Sequence, residues 1–275
     1  MQREIPDKVA IIAGQGRLPR EIYDACIKNE VETYVIGLEE QIDMHFFEDV
    51  AVELIPIHSV SQIIKTIKAK NVNKIMLGGR VKRAVIPKLI LDFKGAKLFA
   101  SIIRYGLSDG ALTKTIINFL EKEGFIVLSP DIVAQDVLSI PGNMTQVQIR
   151  KQHIADMENG YKMLYEICKL DVGQSLVIQN GLVLGVEALE GTDELIKRCG
   201  AIRQKFETEP VLVKICKPQQ DKRIDMPCIG ERTIRNMSEC GIRGIGLEAG
   251  SCLILNKKKT IELANQKGIF IYGLQ

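Results

Sequence analysis

Apolar and polar residues alternate in short blocks through the first half of the chain. Residues 8–13 form a brief apolar run, followed by the glycine-rich turn Gly14-Gln15-Gly16-Arg17-Leu18-Pro19. Residues 20–29 set Ile22, Ala25 and Cys26 near helical spacing, and 32–38 reads as a second strand. Residues 60–70 carry Ile63, Ile64 and Ile67 on one helical face. A third strand, 74–77, runs into Gly78-Gly79. Strand–helix–strand alternation predicts a parallel sheet with helices on its faces. Residues 82–123 read as mostly helical, with Asp109 capping a helix that carries Leu112, Ile116, Ile117 and Leu120. Gly124 ends it, 125–128 is another strand, and Pro130-Asp131 opens a helix toward Leu138.

Pro141-Gly142-Asn143 has linker chemistry and places a domain boundary there, giving 1–140 and 141–275. Thr145 is expected to cap a long connecting helix over 145–170. The second half has a different texture. Runs at 175–179 and 182–189 flank Asn180-Gly181, the strongest short-range hairpin signal. Further strands are expected at 211–215, 244–248 and 269–272, with helices at 192–199, 231–239 and 258–266. The pattern is α/β in two domains, a parallel sheet first and a mixed sheet with helices second.

Composition narrows the class. The 275 residues are 46% apolar and 26% charged, which excludes a disordered chain. A net charge of +3 from 37 basic and 34 acidic residues, with no basic run interleaved with aromatics, argues against nucleic acid as a partner. No stretch reaches the ~20 apolar residues of a spanning helix. A soluble, cytoplasmic protein is expected. Seven cysteines without a Cys-x-x-Cys pair argue against a disulfide framework or a structural zinc site.

Several stretches can carry chemistry. Gly14 and Gly16 lie between a strand and a helix, where backbone amides favour anions. A tight turn that needs glycine explains them as well, and Pro19 stands where a dinucleotide motif has its third glycine. Gly79 and Arg80, followed by Lys82 and Arg83, would put amides and cations at the carboxyl end of the sheet; a solvated basic loop accounts for them too. Glu187 sits in an apolar run, so it needs a cation or a polar ligand as partner. Asp193 suits a helix N-terminus, and Glu190 lies beside it. The sharpest segment, 214–227, feeds a strand into a loop carrying Lys217, Asp221, Lys222, Arg223 and Asp225. Hard divalent ions take carboxylate and phosphate oxygens, and cations offset the charge of phosphoryl transfer. Glu248-Ala249-Gly250 closes another strand with a further carboxylate.

Taken together, these motifs resemble one family. Ile12-Ala13-Gly14-x-Gly16-x-Leu18-Pro19 matches its opening loop, and Asp171-Val172-Gly173-Gln174 with Gln179-x-Gly181-Leu182-Val183-Leu184 its central hairpin. Glu187-Ala188-x-Glu190-Gly191-Thr192-Asp193, the stretch from Lys217-Pro218 to Ile229-Gly230, and Glu248-Ala249-Gly250 follow in order. The chain resembles the UDP-2,3-diacylglucosamine pyrophosphatases of lipid A biosynthesis, of the type unrelated to metallophosphoesterases. Three histidines, none beside an asparagine, do not suit the metallophosphoesterase type.

The resemblance implies a Rossmann-like first domain, a C-terminal domain of its own kind and an active site in the cleft between them. It implies Mg²⁺-dependent attack of water at the sugar-side phosphorus, giving UMP and 2,3-diacylglucosamine 1-phosphate (lipid X). Asp225 stands first among the catalytic candidates, with Asp221, Lys217 and Arg223. Asp225, Asp221 and Glu190 are the expected metal set. Gly14, Gly16, Gly79, Arg80, Glu187 and Thr192 are the expected substrate contacts. A diacylated substrate implies peripheral attachment to the cytoplasmic face of the inner membrane. Base rates favour a homodimer. One departure is that Ser108-Asp109-Gly110 stands where the family carries Gly-Asp-Asp. A nucleotide-dependent oxidoreductase and a non-catalytic sugar-nucleotide binding module are the competing readings.

Overall fold

The computed structural model describes residues 5–106 and 108–275, without the side chains of Arg83 and Asp109. Contacts divide the chain into two units. One holds the chain up to Gln135 together with Asp221–Asp225; the other holds Asp136–Gln220 and Met226–Gln275.

In the first unit the strands are β1 (Lys8–Ala13), β2 (Glu32–Leu38), β3 (Val52–Ile55), β4 (Lys74–Gly78) and β5 (Ile126–Leu128). They form one parallel sheet in the order β3-β2-β1-β4-β5, that of a doubly wound nucleotide-binding sheet. Its helices are α1 (Leu18–Lys28), α2 (Val60–Ala69), α3 (Phe93–Tyr105) and α4 (Asp109–Lys122). Ile36, Ile55, Ile63, Ile67, Ile75, Ile102 and Ile117 share one core, as the apolar spacing requires.

Several details differ from the sequence expectation. β3 was not anticipated, because Glu53 interrupts an edge strand only four residues long. The long helical stretch is broken into a 3-10 segment, Arg83–Leu91, and two helices separated at Gly106, whose φ is 104°. Ser108, not Asp109, caps α4: its Oγ accepts from the Ala111 amide at 3.3 Å. Leu107 and the side chain of Asp109 lie outside the described residues. The helix expected after Pro130 is two short 3-10 turns, Pro130–Ile132 and Gln135–Val137.

The second unit is built on a six-stranded mixed sheet. Its strands are β6 (Gly142–Asn143), β7 (Ser175–Gln179), β8 (Leu182–Val186), β9 (Val211–Lys214), β11 (Gly244–Glu248) and β13 (Phe270–Leu274), in the order β6-β13-β11-β9-β7-β8. β9, β11 and β13 run parallel; β6, β7 and β8 run antiparallel to their neighbours. A small parallel pair, β10 (Cys228–Ile229) with β12 (Leu253–Ile254), lies outside this sheet. Helix α5 (Lys151–Cys168) packs over β7 and β9 with Met157, Leu164 and Phe270 in its core. A separate cluster holds Leu195 and Cys199 of α6 (Thr192–Ile202), Ile234 and Met237 of α7 (Glu231–Cys240), and Ala264 of α8 (Lys257–Lys267).

Gly142-Asn143, read as linker, is instead an edge strand on β13. The helix expected from Thr145 starts at Lys151. Asn143 Oδ1 accepts from the Thr145 amide at 3.0 Å and its hydroxyl at 2.8 Å, so the side chain holds the backbone in a turn that competes with helix.

The Asn180-Gly181 hairpin is present, both residues having the positive φ that a tight two-residue turn needs. It is fastened from beneath by Asp156 of α5, fully buried, whose carboxylate accepts from the Asn180 amide at 2.7 Å, the Gly181 amide at 2.8 Å and Gln152 Nε2 at 3.0 Å. Asp156→Ala strands those amides, and urea unfolding is expected to show a loss of about 2–4 kcal/mol. A loss below about 0.5 kcal/mol, the level of an ordinary surface substitution, would contradict this role.

Candidate active site

The carboxyl ends of β1 and β4 form the point where the strand order of the first sheet reverses, the usual ligand position of such sheets. The loops leaving these strands are tied together by their backbones. Gly14 N donates to Gly78 O at 2.8 Å, Gln15 N to Arg80 O at 2.8 Å, and Arg80 N to Gln15 O at 2.9 Å. A Cβ on Gly14 would meet Arg80 O at 2.6 Å, and one on Gly79 would meet Gln15 O at 2.6 Å. These two glycines are therefore explained by mutual backbone approach. Gly16 differs: its φ is 91°, and a Cβ there would meet nothing within 4 Å. Its amide donates to Asp43 Oδ2 at 2.6 Å. A phosphate reaching Gly16 would therefore have to displace a carboxylate that the sequence reading did not single out.

The acidic loop is held within the first unit. Ser129 Oγ donates to Lys222 O at 2.9 Å, and Ile224 packs against the unit's apolar core. Arg223 grips Asp221 through two parallel contacts, Nε to Oδ1 at 2.9 Å and Nη2 to Oδ2 at 2.7 Å. Its third nitrogen, Nη1, donates to Glu121 Oε1 of α4 at 2.7 Å. The guanidinium holds the Asp221 carboxyl below its ordinary range, and its own pKa is raised in return. The Ile224 and Asp225 amides both donate to Asp221 O at 3.2 Å, which curls the backbone so that Asp225 follows directly on the turn.

The second unit carries a buried charge network at the carboxyl end of β9. Lys214 Nζ donates to Thr192 Oγ1 at 2.8 Å and Ser175 Oγ at 3.2 Å. Thr192 Oγ1 donates to Glu187 Oε1 at 2.8 Å, while the Gln174 amide reaches Glu187 Oε2 at 3.3 Å. Lys214, Ser175 and Glu187 are all buried. Burial alone would raise the Glu187 pKa. The Lys214 charge, with hydrogen bonds from Ser175, Thr192 and the Gln174 amide, outweighs it and holds the carboxyl below its ordinary value. Lys214 had no role assigned from sequence. Its signal was a lysine inside the apolar run 211–215, which demands a buried partner as Glu187 does.

The chain beyond Lys214 is pinned residue by residue. Cys216 N donates to Glu248 Oε2 at 2.8 Å, so Glu248 anchors backbone. Buried Lys217 pairs with Asp171 at 2.7 Å, and its amide donates to Gln220 Oε1 at 3.0 Å. Asp171 has a φ of 56°, in the left-handed region. Glu190 is engaged by Arg198 at 2.8 Å and by the Ala188 amide at 3.2 Å, and Arg198 lowers its pKa. Asp193 receives Asn236 and Arg232 at 2.8 Å each, which ties the start of α6 to α7. Among the described residues no three His, Cys, Asp or Glu side chains are grouped so as to hold a metal ion. No described helix is long and apolar enough to cross a membrane.

A doubly wound parallel sheet followed by a mixed-sheet unit defines a two-unit α/β protein. Family models for the LpxI N-terminal domain and the LpxI C-terminal domain match residues 8–137 and 140–272. The chain is 32% identical to the UDP-2,3-diacylglucosamine pyrophosphatase LpxI of Caulobacter vibrioides, over 97% of each chain. The chain belongs to the LpxI family, and the resemblance read from its motifs is borne out.

The Glu187 network gives a pH dependence with a definite sign. Its folded pKa lies below the ordinary 4.5, so its contribution to stability is complete above that value. The contribution is lost as pH falls through the depressed folded value. Glu187→Gln should therefore flatten the fall in Tm as the pH drops below about 4.5. An equally steep fall in the variant would contradict the assignment.

Proposed function

We propose that the chain hydrolyses the pyrophosphate of UDP-2,3-diacylglucosamine to UMP and lipid X in lipid A biosynthesis. The observation that carries this is the match to the named pyrophosphatase over 97% of both chains, across both units. The enzyme class, a hydrolase acting on an acid anhydride, follows from family membership.

In this reading water attacks the sugar-side phosphorus. A phosphorus–oxygen bond forms with the water, the bond to the bridging oxygen breaks, and UMP leaves with the bridging oxygen. Asp225 orients the water and accepts its proton. Asp221 positions Arg223, and Arg223 and Lys217 are the cations proposed to offset the pyrophosphate charge. Both cations are fixed in advance, Lys217 by Asp171 and Arg223 by Asp221 and Glu121, so little reorganisation is left for the reaction. Arg80, in the loop after β4, is proposed to meet the nucleotide end on the turn that Gly14, Gly16 and Gly79 shape. Thr192 and Glu187 are engaged with each other and with Lys214, so the expected substrate contacts there are replaced by a structural role.

The donor chemistry fits Mg²⁺ in one arrangement. Asp221 and Glu190, two of the three expected ligands, are each gripped by an arginine. Asp225 is the carboxylate proposed to share the ion with substrate phosphate oxygens, a common Mg²⁺ arrangement. Bound Mg²⁺ would neutralise charge on those oxygens. The substrate's acyl chains imply peripheral membrane attachment.

UMP release is the test, measured with Mg²⁺ and with EDTA. Asp225→Ala should lower kcat by about a hundredfold or more with its circular dichroism unchanged. EDTA should abolish the wild-type rate. A folded Asp225→Ala enzyme with near wild-type turnover would overturn the role of this residue. No UMP release from wild type with Mg²⁺ would overturn the function.

A further inference from the structure

The first unit carries an apolar and basic surface that the proposed chemistry does not use. Ile90, Leu91, Phe93, Ile103 and Tyr105 are 56–73% exposed, all within one stretch formed by the 3-10 segment and α3. Elsewhere among the described residues, only Leu170 and Leu189 are as exposed among large apolar side chains. On α3, Phe93, Lys97, Ala100 and Arg104 fall on one face at helical spacing, and all four are exposed. The opposite face buries Gly95, Leu98 and Ile102. The helix thus turns aromatic and cationic residues outward together, where an ordinary surface helix turns out polar residues alone.

The charge of the stretch is equally one-sided. From Arg80 to Gly106 the sequence has seven cations and one acid, while the whole chain is only +3, so the remainder is net acidic. The one acid, Asp92, is turned inward: it accepts from Gly95 N at 2.9 Å and from the amide and hydroxyl of Ser61 at 3.0 and 2.8 Å. Lys94 pairs with Glu123, and Lys88 lies 3.7 Å from Glu40. Lys97 stands 4.4 Å over the Phe93 ring and Arg104 5.6 Å over the Tyr105 ring, so cation and aromatic are presented as pairs.

We propose that this face docks the enzyme on an anionic lipid bilayer, with Leu91 and Phe93 entering the interface and Lys97 and Arg104 meeting acidic headgroups. Apolar side chains flanked by lysine and arginine are the chemistry of interfacial binding. A second copy of the chain fits less well, because a two-fold contact would bring Lys97 and Arg104 of both copies together as like charges. The inference deepens the proposed function, whose diacyl substrate resides in a membrane, yet it is readable without substrate.

The test is co-sedimentation with vesicles of phosphatidylethanolamine and phosphatidylglycerol, against phosphatidylcholine alone, without substrate. Wild type should bind the anionic vesicles, and high salt should release it. Lys97→Glu/Arg104→Glu and, separately, Leu91→Ser/Phe93→Ser should each weaken binding by about tenfold or more. Both should keep wild-type Tm and wild-type turnover of detergent-dispersed substrate. Three results would overturn the proposal: no binding by wild type, unchanged binding by both variants, or loss of turnover on dispersed substrate, which would assign the face to the acyl chains. Dissociation of a wild-type dimer by the variants, with vesicle binding intact, would assign it to a second copy and overturn it as well. Vesicle binding by a chain that releases no UMP would sustain this surface while overturning the proposed function.

Discussion

The Arg223 guanidinium shapes the segment on which the proposed chemistry depends. Its planar fork satisfies both oxygens of Asp221 and still reaches Glu121, a geometry that a lysine's single point charge does not reproduce. A lone surface pair contributes only ~0.2–1 kcal/mol. A bidentate pair braced by a third carboxylate is stronger and more directional. With Ile224 packed against the first unit's core and Lys222 O bonded to Ser129, five consecutive residues are fixed by side chain and backbone together. Asp225 inherits its place from that arrangement.

The second unit solves a related problem at the end of β9. A buried lysine and a buried glutamate are each costly, and a partial network would be worse than an apolar one. Here Thr192 stands between them, accepting from Lys214 and donating to Glu187 through one hydroxyl. Thr192 also opens α6, so the helix position and the charge network depend on the same residue. Downstream, Glu248 holds the Cys216 amide and Asp171 holds Lys217. In this unit, charged side chains hold one another and the backbone that follows β9.

The fold was legible where apolar periodicity and turn chemistry agree. β1 and β2 fall on the residues their apolar runs mark, and Asn180-Gly181 turns where the dipeptide requires it. It was less legible where polar side chains compete for the backbone. Asn143 diverts residues 143–147 from helix, and Ser108 takes the cap expected of Asp109. The four-residue edge strand β3, with Glu53 at its centre, has no periodicity to detect. Candidate site residues were readable as types, since a glutamate or lysine in an apolar run must have a partner. The identity of that partner was not readable: Asp43 with Gly16, Asp171 with Lys217 and Glu121 with Arg223 lie 27, 46 and 102 positions apart. Only the folded topology brings them together.

The central claim is that this chain directs water onto the sugar-side phosphorus of a UDP-diacylated sugar. Turnover in ¹⁸O-water, followed by ³¹P magnetic resonance or mass spectrometry of both products, tests it most directly. The account predicts one labelled oxygen in the phosphate of lipid X and none in UMP. Label in UMP, or no turnover at all, would contradict it.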